Sequence, residues 1–93
     1  MRIEVRYLAQ LRAAAGQAME VIAVDPPCTA GELVTRLAEK HGSPLRSLLL
    51  DEKGNVQQPL LLFVGDEQVD SPARPLRDGD VVTILSPMAG GEA

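Results

Sequence analysis

The chain has 93 residues, enough for one small domain, and its composition excludes several classes of protein. The 13 acidic and 9 basic residues give a formal net charge of −4, whereas a nucleic-acid-binding domain would carry a basic patch. A single cysteine, Cys28, excludes an internal disulfide framework and a cysteine-rich metal site. We therefore expect neither nucleic acid nor a structural metal as a partner.

The sequence also predicts the compartment. The N-terminus, Met1-Arg2-Ile3-Glu4, alternates charged and apolar residues and does not have the pattern of a signal peptide. No apolar run approaches the ~20 residues that span a bilayer. We expect a cytoplasmic protein without a membrane partner.

The N-terminal part of the chain predicts two strands. Arg2 to Leu8 alternates polar and apolar residues, which is typical of a half-buried strand. Ala9 to Ala15 is rich in Ala and Leu and predicts a short helical turn or a structured loop. Met19 to Val24 predicts a second strand, which Asp25-Pro26-Pro27 ends. The two strands can form an antiparallel pair.

The main helix is predicted over residues 29–41. Thr29 and Glu32 have the spacing of a capping box, and Gly42 supplies the stop. Apolar positions recur at helical spacing, which predicts a stripe that faces a sheet: Leu33, Val34, Leu37, Ala38 and His41. Pro44 to Leu50 predicts a second, short turn of helix.

The C-terminal half predicts three more strands. Leu60 to Val64 is an apolar run that ends at Gly65-Asp66, and Gln68 to Asp70 predicts a short edge strand. A turn signal at Arg77 to Asp80 precedes the last strand, Val81 to Leu85. Because the chain between the first and last strands is long enough to cross over, these two strands can pair in parallel.

This order predicts an α+β fold of the β-grasp type, which is the architecture of ubiquitin-like proteins. We expect a mixed sheet of four to five strands with one main helix across one face. The domain is predicted to span residues 1–87, and residues 88–93 to form a flexible C-terminal tail with two adjacent glycines, Gly90 and Gly91. Such a tail can enter a channel too narrow for side chains, although a frayed terminus is the ordinary interpretation of such an end.

At this point the sequence resembles the MoaD/ThiS family of ubiquitin-like sulfur carriers over nearly its whole length. The resemblance rests on short motifs in a fixed order: Val5-Arg6-Tyr7-Leu8, the segment from Leu11-Arg12 to Gly16, Thr29-Ala30-Gly31-Glu32-Leu33, Leu62-Phe63-Val64-Gly65-Asp66-Glu67, Leu76-Arg77-Asp78-Gly79-Asp80-Val81-Val82 and Ala89-Gly90-Gly91. Each motif is weak alone, and their order carries the resemblance.

The resemblance implies a carrier protein rather than an enzyme, with no catalytic residue and no bound cofactor of its own. An E1-like partner would use ATP to adenylate the carboxylate of Gly91, and sulfur would then displace AMP to leave a thiocarboxylate. The sulfur would pass to a biosynthetic enzyme for cysteine, molybdopterin, the thiazole of thiamine or a thiolated metabolite. The face of the sheet away from the helix would dock the partners.

One feature departs from the family pattern. Glu92-Ala93 follows Gly91, where the family's carriers usually end, and an amide at Gly91 cannot be adenylated as a carboxylate. Three explanations are open: a peptidase cleaves between Gly91 and Glu92, the two residues do not belong to the natural protein, or the chain is not a carrier; for the first, the resemblance implies a JAMM-type metallopeptidase. Two other functions remain open: a ubiquitin-like modifier joined through Gly91 to lysines of target proteins, and a plain interaction domain with an idle tail.

The remaining candidates are weighed against a structural role. Cys28 and His41 stand at opposite ends of the main helix without an acid, base or metal-ligand cluster around them in sequence, so we expect an inert thiol and no metal site. Leu60, Leu62 and Val64 share one face of their strand. If the helix covers Leu61 and Phe63, that first set, together with Met88 of the tail, would bind a partner.

Overall fold

A computed structural model describes residues 1–57 and 60–86, which form a mixed sheet of five strands with one long helix across it. The elements in chain order are β1 (Arg2–Tyr7), α1 (Gln10–Ala15), β2 (Met19–Ala23), α2 (Ala30–His41), α3 (Leu45–Leu49), β3 (Leu61–Val64), β4 (Glu67–Gln68) and β5 (Val81–Leu85). The predicted boundary between domain and tail, at residues 87 and 88, lies outside the described residues.

The strand order is β2-β1-β5-β3-β4, with the C-terminal strand β5 at the centre. β1 pairs antiparallel with β2 and parallel with β5, and β3 pairs antiparallel with both β5 and β4. The predicted β-grasp architecture is therefore confirmed, including the parallel pairing of the first and last strands. Among the described residues, every helix is too short or too polar to cross a membrane.

The edge strand β4 begins one residue earlier than predicted. A two-residue turn of Gly65 and Asp66 joins β3 to β4, and Gly65 has a φ of +60°, a conformation that favours glycine. This turn pairs Val64 with Glu67 and Phe63 with Gln68. The length of the turn, rather than the apolar pattern, therefore sets where β4 lies.

Helix α2 has the predicted capping box. The Thr29 hydroxyl accepts a hydrogen bond from the Glu32 N–H (3.2 Å), and the Glu32 carboxylate accepts one from the Thr29 N–H (2.8 Å). The helix ends at Gly42, whose N–H donates to the Ala38 carbonyl (2.9 Å). The buried stripe contains four of the five predicted residues; the fifth, His41, is only partly buried, and Ala30 joins the stripe at the N-terminus: Ala30, Leu33, Val34, Leu37 and Ala38.

The strands divide their side chains between two faces. The inner face points toward α2 and consists of Ile3, Val5, Tyr7, Glu20, Ile22, Leu62, Val64, Val82 and Ile84, all buried or packed against the core. The outer face consists of Arg2, Glu4, Arg6, Met19, Val21, Ala23, Leu61, Phe63, Val81, Thr83 and Leu85, all partly or fully exposed. This alternation follows from the two-residue period of a strand.

Candidate functional site

The central strand β5 leads directly into the C-terminal tail. Strand β1 pairs with it up to Ile84 and strand β3 up to its last residue, Leu85, and the described chain stops at Ser86. A strand held on both sides gives the chain that follows it a fixed point of departure. The predicted tail residues Met88, Gly90, Gly91 and Glu92 lie outside the described residues, so their roles stay predictions.

Three leucines surround the point where the described chain stops, and we call them the tail base: Leu8, Leu61 and Leu85. Leu61 and Leu85 are paired between β3 and β5, and both are partly exposed. Leu8 is 38% exposed, and its N–H donates to the carbonyl of Ile84 (3.1 Å), which places it beside Leu85. Together the three residues form a partly exposed apolar rim at the end of β5.

A strained turn holds Leu8 in place. Ala9 has φ 53° and ψ −129°, a left-handed conformation that alanine rarely adopts, and the Leu11 N–H donates to the Leu8 carbonyl (3.1 Å). These values are those of a type II′ turn, whose first central residue is usually glycine. The turn ends β1 at Tyr7, one residue earlier than predicted, and starts α1 next to the tail base.

The outer face of the sheet mixes apolar and charged side chains. Met19 and Val21 are 45% and 47% exposed, which makes them prominent among the exposed apolar residues of the described chain. Glu4 and Arg6 form an ion pair between them (2.6 Å) on the neighbouring strand. Surface ion pairs contribute little to stability, so this face is not built to hold the domain together.

The structure corrects the predicted partner-binding set. Leu62 is 5% exposed and lies in the core opposite Ile84, and Leu60 and Val64 pack against the same core. The helix therefore covers the face of Leu62 and leaves Leu61 and Phe63 on the outer face. The prediction had assumed the reverse, with the helix over Leu61 and Phe63. The apolar run 60–64 has no polar residue to distinguish its two faces, so its sequence could not decide between them.

Sequence reasoning missed a polar cluster around the buried carboxylate of Glu20 at the end of α2, which we call the Glu20 cluster: Tyr7, Glu20, Lys40 and His41. The Glu20 carboxylate accepts hydrogen bonds from the Tyr7 hydroxyl (2.5 Å) and from the Lys40 ammonium (2.5 Å). The Nε2 atom of His41 lies 2.6 Å from the same carboxylate. Because an ionised carboxylate can only accept hydrogen bonds, the His41 proton lies on Nε2.

This cluster keeps the carboxylate of Glu20 ionised inside the domain. The Glu20 side chain is only 6% exposed, and burial alone would raise its pKa, but the hydrogen bonds from Lys40, Tyr7 and His41 outweigh burial and lower the pKa to about 2. Burial, and then the hydrogen bond to Glu20, raise the pKa of the Tyr7 hydroxyl. The cluster joins β1 and β2 to the end of α2, which indicates a structural role.

Cys28 and His41, the two single residues considered in the sequence analysis, both have structural roles in the fold. Cys28 is 2% exposed, and burial raises the pKa of its thiol, which makes it a poor nucleophile. His41 belongs to the Glu20 cluster, so its ring is already engaged. In the part of the chain that the structure describes, no three His, Cys, Asp or Glu residues are arranged to hold a metal ion.

The helix order, the mixed sheet and the parallel pairing of β1 with β5 define a β-grasp protein of the ubiquitin-like class. The model of the ThiS family matches residues 5–91, so the chain belongs to the ThiS family. This confirms the MoaD/ThiS resemblance drawn from the motifs.

Similar proteins include a small archaeal modifier protein and two solved structures of the same fold. Small archaeal modifier protein 3 of Haloferax volcanii is 30% identical over 94 residues, which cover 98% of this chain and 100% of that protein. The crystal structure of SAMP1 from Haloferax volcanii has a TM-score of 0.87 at 22% identity and covers 98% of this chain and 100% of that one. The Amycolatopsis orientalis BexX/CysO complex has a TM-score of 0.67 at 22% identity, over 89% and 92% of the two chains. At such identities the two structures show a shared fold.

Proposed function

We propose that the chain is a ubiquitin-like sulfur carrier that delivers sulfur as a thiocarboxylate of Gly91. The observation that carries the proposal is the extent of the family match, which includes Gly90 and Gly91 and ends there, leaving Glu92 and Ala93 outside it. A JAMM-type metallopeptidase would hydrolyse the bond between Gly91 and Glu92 and so free the carboxylate. The proposed site of action is the cytoplasm.

The chemistry requires an activating partner because a carboxylate is a poor electrophile. In an E1-like enzyme, a carboxylate oxygen of Gly91 attacks the α-phosphorus of ATP, and pyrophosphate leaves. A sulfur nucleophile then attacks the acyl carbon of the adenylate; the C–S bond forms, the C–O bond to AMP breaks, and AMP leaves. The chain itself acts as a co-substrate, not as an enzyme, and binds no cofactor in this scheme.

The docking surface in this proposal is the outer face together with the tail base. A partner that encloses the tail must also contact the residues beside its origin, and these are the partly exposed Leu61 and Leu85. Leu61→Asp is expected to weaken adenylation at least tenfold in kcat/KM. The control is Ser47→Asp, which adds the same charge at an exposed position of α3 away from the sheet. Equal activity of the two variants, both folded by circular dichroism, would reject this surface.

The tail is tested with matched chains that differ only at the end. A chain truncated after Gly91 should form an acyl-adenylate with the E1-like enzyme of the same genome and ATP, as measured by pyrophosphate exchange. The chain ending at Ala93 should not, unless the peptidase is added first. Intact mass spectrometry of the protein from its own host should show a species that ends at Gly91, part of it with one oxygen replaced by sulfur. A host protein that keeps Glu92-Ala93 and still supports sulfur transfer contradicts the proposal.

A second function is favoured by one specific observation. The curated relative at 30% identity is named as a modifier protein, so Gly91 could instead form isopeptide bonds with lysines of target proteins. Cells that express the chain with an N-terminal tag should then contain tagged species of high mass that survive denaturation and reducing agents. A chain that ends at Gly90, and therefore lacks Gly91, is the control for both functions. Conjugates without any thiocarboxylate species would favour the modifier over the carrier.

The most specific part of the proposal concerns the enzyme that accepts the sulfur. Cysteine or molybdopterin synthesis, or a related sulfur metabolite, would each place a different enzyme opposite the tail. The thiocarboxylate form of the chain, mixed in turn with the candidate acceptor enzymes of its genome, should lose sulfur to one of them. The measurement is the return of the chain mass to that of the carboxylate, together with the sulfur-containing product.

A further inference from the structure

The two edges of the sheet are very different. The β4 edge has two residues, Glu67 and Gln68, and the carboxylate of Glu67 forms an ion pair with Arg74 (2.7 Å). The β2 edge has five residues, Met19–Ala23, and its one charged residue, Glu20, points inward to the Glu20 cluster. Short length and an outward charge protect the β4 edge, whereas the β2 edge is longer and has no charged side chain on its outer face.

The hydrogen bonds of β2 show which of its backbone groups are available. The Ala18 carbonyl accepts from the Tyr7 N–H (2.9 Å), and the Val24 N–H donates to the Met1 carbonyl (2.9 Å). In an antiparallel ladder the bonding residues alternate, so the even-numbered residues of this segment bond to β1. The odd-numbered residues Met19, Val21 and Ala23 therefore direct both N–H and C=O away from the sheet. Within residues 1–57 and 60–86, these groups have no backbone partner.

The side chains of the same three residues lie on the outer face. Met19 and Val21 are 45% and 47% exposed, and Ala23 is exposed as well. None is charged and none is proline. The carboxylate of Glu20, on the opposite face, is already neutralised by Lys40 within the domain. No like-charge repulsion therefore arises along this edge when another strand lies against it.

We propose that a second copy of this chain pairs with the β2 edge, antiparallel and across a two-fold axis at Val21. The available groups belong to odd-numbered residues, and antiparallel pairing about Val21 places odd residues opposite odd residues. Val21 faces Val21 of the partner subunit, and Met19 faces Ala23 of the partner subunit. Each such pair exchanges two hydrogen bonds, and the two sheets become one continuous sheet.

The backbone groups of β2 restrict this pairing to registers in which odd residues face odd residues, and the register about Val21 pairs all three of them. A slip of one residue would place odd residues opposite even ones, whose backbone groups are already bonded to β1, and the ladder could not form. The two-fold axis makes the contact isologous, which closes the assembly at two copies. The contact involves only two five-residue strands. The dimer is therefore reversible and depends on protein concentration.

The pairing uses the β2 margin of the outer face and leaves its β5 and β3 part, where Leu85 and Leu61 lie, to the partner that receives the tail. Strand β5 lies two strands from the β2 edge, so the dimer leaves both tail bases accessible to other partners. The apolar Met19 and Val21 become less exposed in the dimer. Sulfur transfer and dimer formation can thus succeed or fail separately in the tests.

Cysteine cross-linking tests the register. Directly bonded residues of an antiparallel pair have Cα atoms about 5.5 Å apart, which a disulfide can span. Val21→Cys should therefore give a disulfide-linked dimer under mild oxidation, at least tenfold faster than Val81→Cys, which places a cysteine on the outer face of β5. Met19→Cys should not cross-link with itself but should cross-link with Ala23→Cys when the two are mixed. Equal rates for Val21→Cys and Val81→Cys would overturn the proposal.

A backbone variant tests the hydrogen bonds themselves. Val21→Pro removes the outward N–H and leaves every bond between β1 and β2 in place, since proline is tolerated where a strand edge does not donate to its own sheet. Analytical ultracentrifugation should show the weight-average mass of the wild type rising with concentration, and Val21→Thr should behave in the same way. Val21→Pro should stay monomeric with an unchanged circular dichroism spectrum. A wild type that stays monomeric up to millimolar concentration overturns the proposal.

Discussion

The inner and outer faces of the sheet are formed by the same strands, yet they differ in composition and exposure. The inner face is nearly all aliphatic, and Ile3, Val5, Val82 and Ile84 have no exposed surface. The outer face alternates apolar residues with charged ones such as Glu4 and Arg6. Stability is therefore concentrated on one face, which leaves the other free to serve contacts with partners.

The Glu20 cluster is the exception on the inner face. Glu20 has the position of a core residue and the chemistry of a surface residue, and it is tolerated because three donors surround its carboxylate. Among the described residues, no buried side-chain nitrogen or oxygen lacks a partner. A polar group on the inner face is thus stable only as part of a complete set of hydrogen bonds.

The largest difference between the two faces is expected in the free energy of unfolding when a carboxylate is placed on each face in turn. Leu62→Asp buries a charge without a partner among Ile84 and its neighbours and should lower the free energy of unfolding by about 4 kcal/mol or abolish folding. Val21→Asp places the same group on the exposed outer face and should change it by less than about 0.5 kcal/mol. Urea denaturation followed by circular dichroism measures both. Similar losses for the two variants would contradict the assignment of the faces.

A smaller loss is expected when the Glu20 carboxylate is made neutral. Glu20→Gln keeps the volume but weakens the charged hydrogen bonds from Lys40 and His41, and should lower the free energy of unfolding at pH 7 by about 2 kcal/mol. The control is Glu39→Gln, a neighbouring exposed position on α2. The control should stay within about 0.5 kcal/mol of the wild type. If both variants match the wild type, the cluster does not stabilise the fold.

The lowered pKa of the Glu20 carboxylate predicts how the stability of the protein changes as the pH falls. Its pKa is lowered from 4.5 to about 2 in the folded state, so the unfolded chain takes up the proton first as the pH falls. The stability that Glu20 contributes is fully present above about pH 4.5 and is lost as the pH falls toward 2. The difference in unfolding free energy between wild type and Glu20→Gln should shrink across this window. A constant difference from pH 7 to pH 2 would contradict it.

The smallest effect concerns the turn beside the tail base. Ala9→Gly relieves the left-handed conformation of Ala9 and should raise the free energy of unfolding by about 0.5–1 kcal/mol. Ala13→Gly, inside α1, should lower it by a similar amount because glycine is unfavourable within a helix. Opposite shifts in thermal midpoint would confirm the strain. Shifts of the same sign would show that the turn is not strained.

The local chemistry of the sequence determined the elements and the fold. The alternation of Arg2 to Leu8, the capping box of Thr29 and Glu32 and the stop at Gly42 are short-range signals. The capping box and the stop are found where they were predicted, and the first strand ends one residue earlier than predicted. The chain order of these elements then left few ways to form a sheet, because crossover connections and hairpins follow simple rules. The β-grasp architecture therefore followed from the sequence alone.

Only the tertiary structure decided which face of β3 is buried and what surrounds Glu20. All five residues from Leu60 to Val64 are apolar, so their order contains no sign of which ones meet the helix, and pairing with Ile84 across the sheet settles it. Tyr7, Glu20 and His41 are far apart in the chain and come together only when β1, β2 and α2 pack. Contacts between distant residues depend on the register of the strands, and register is a property of the assembled sheet.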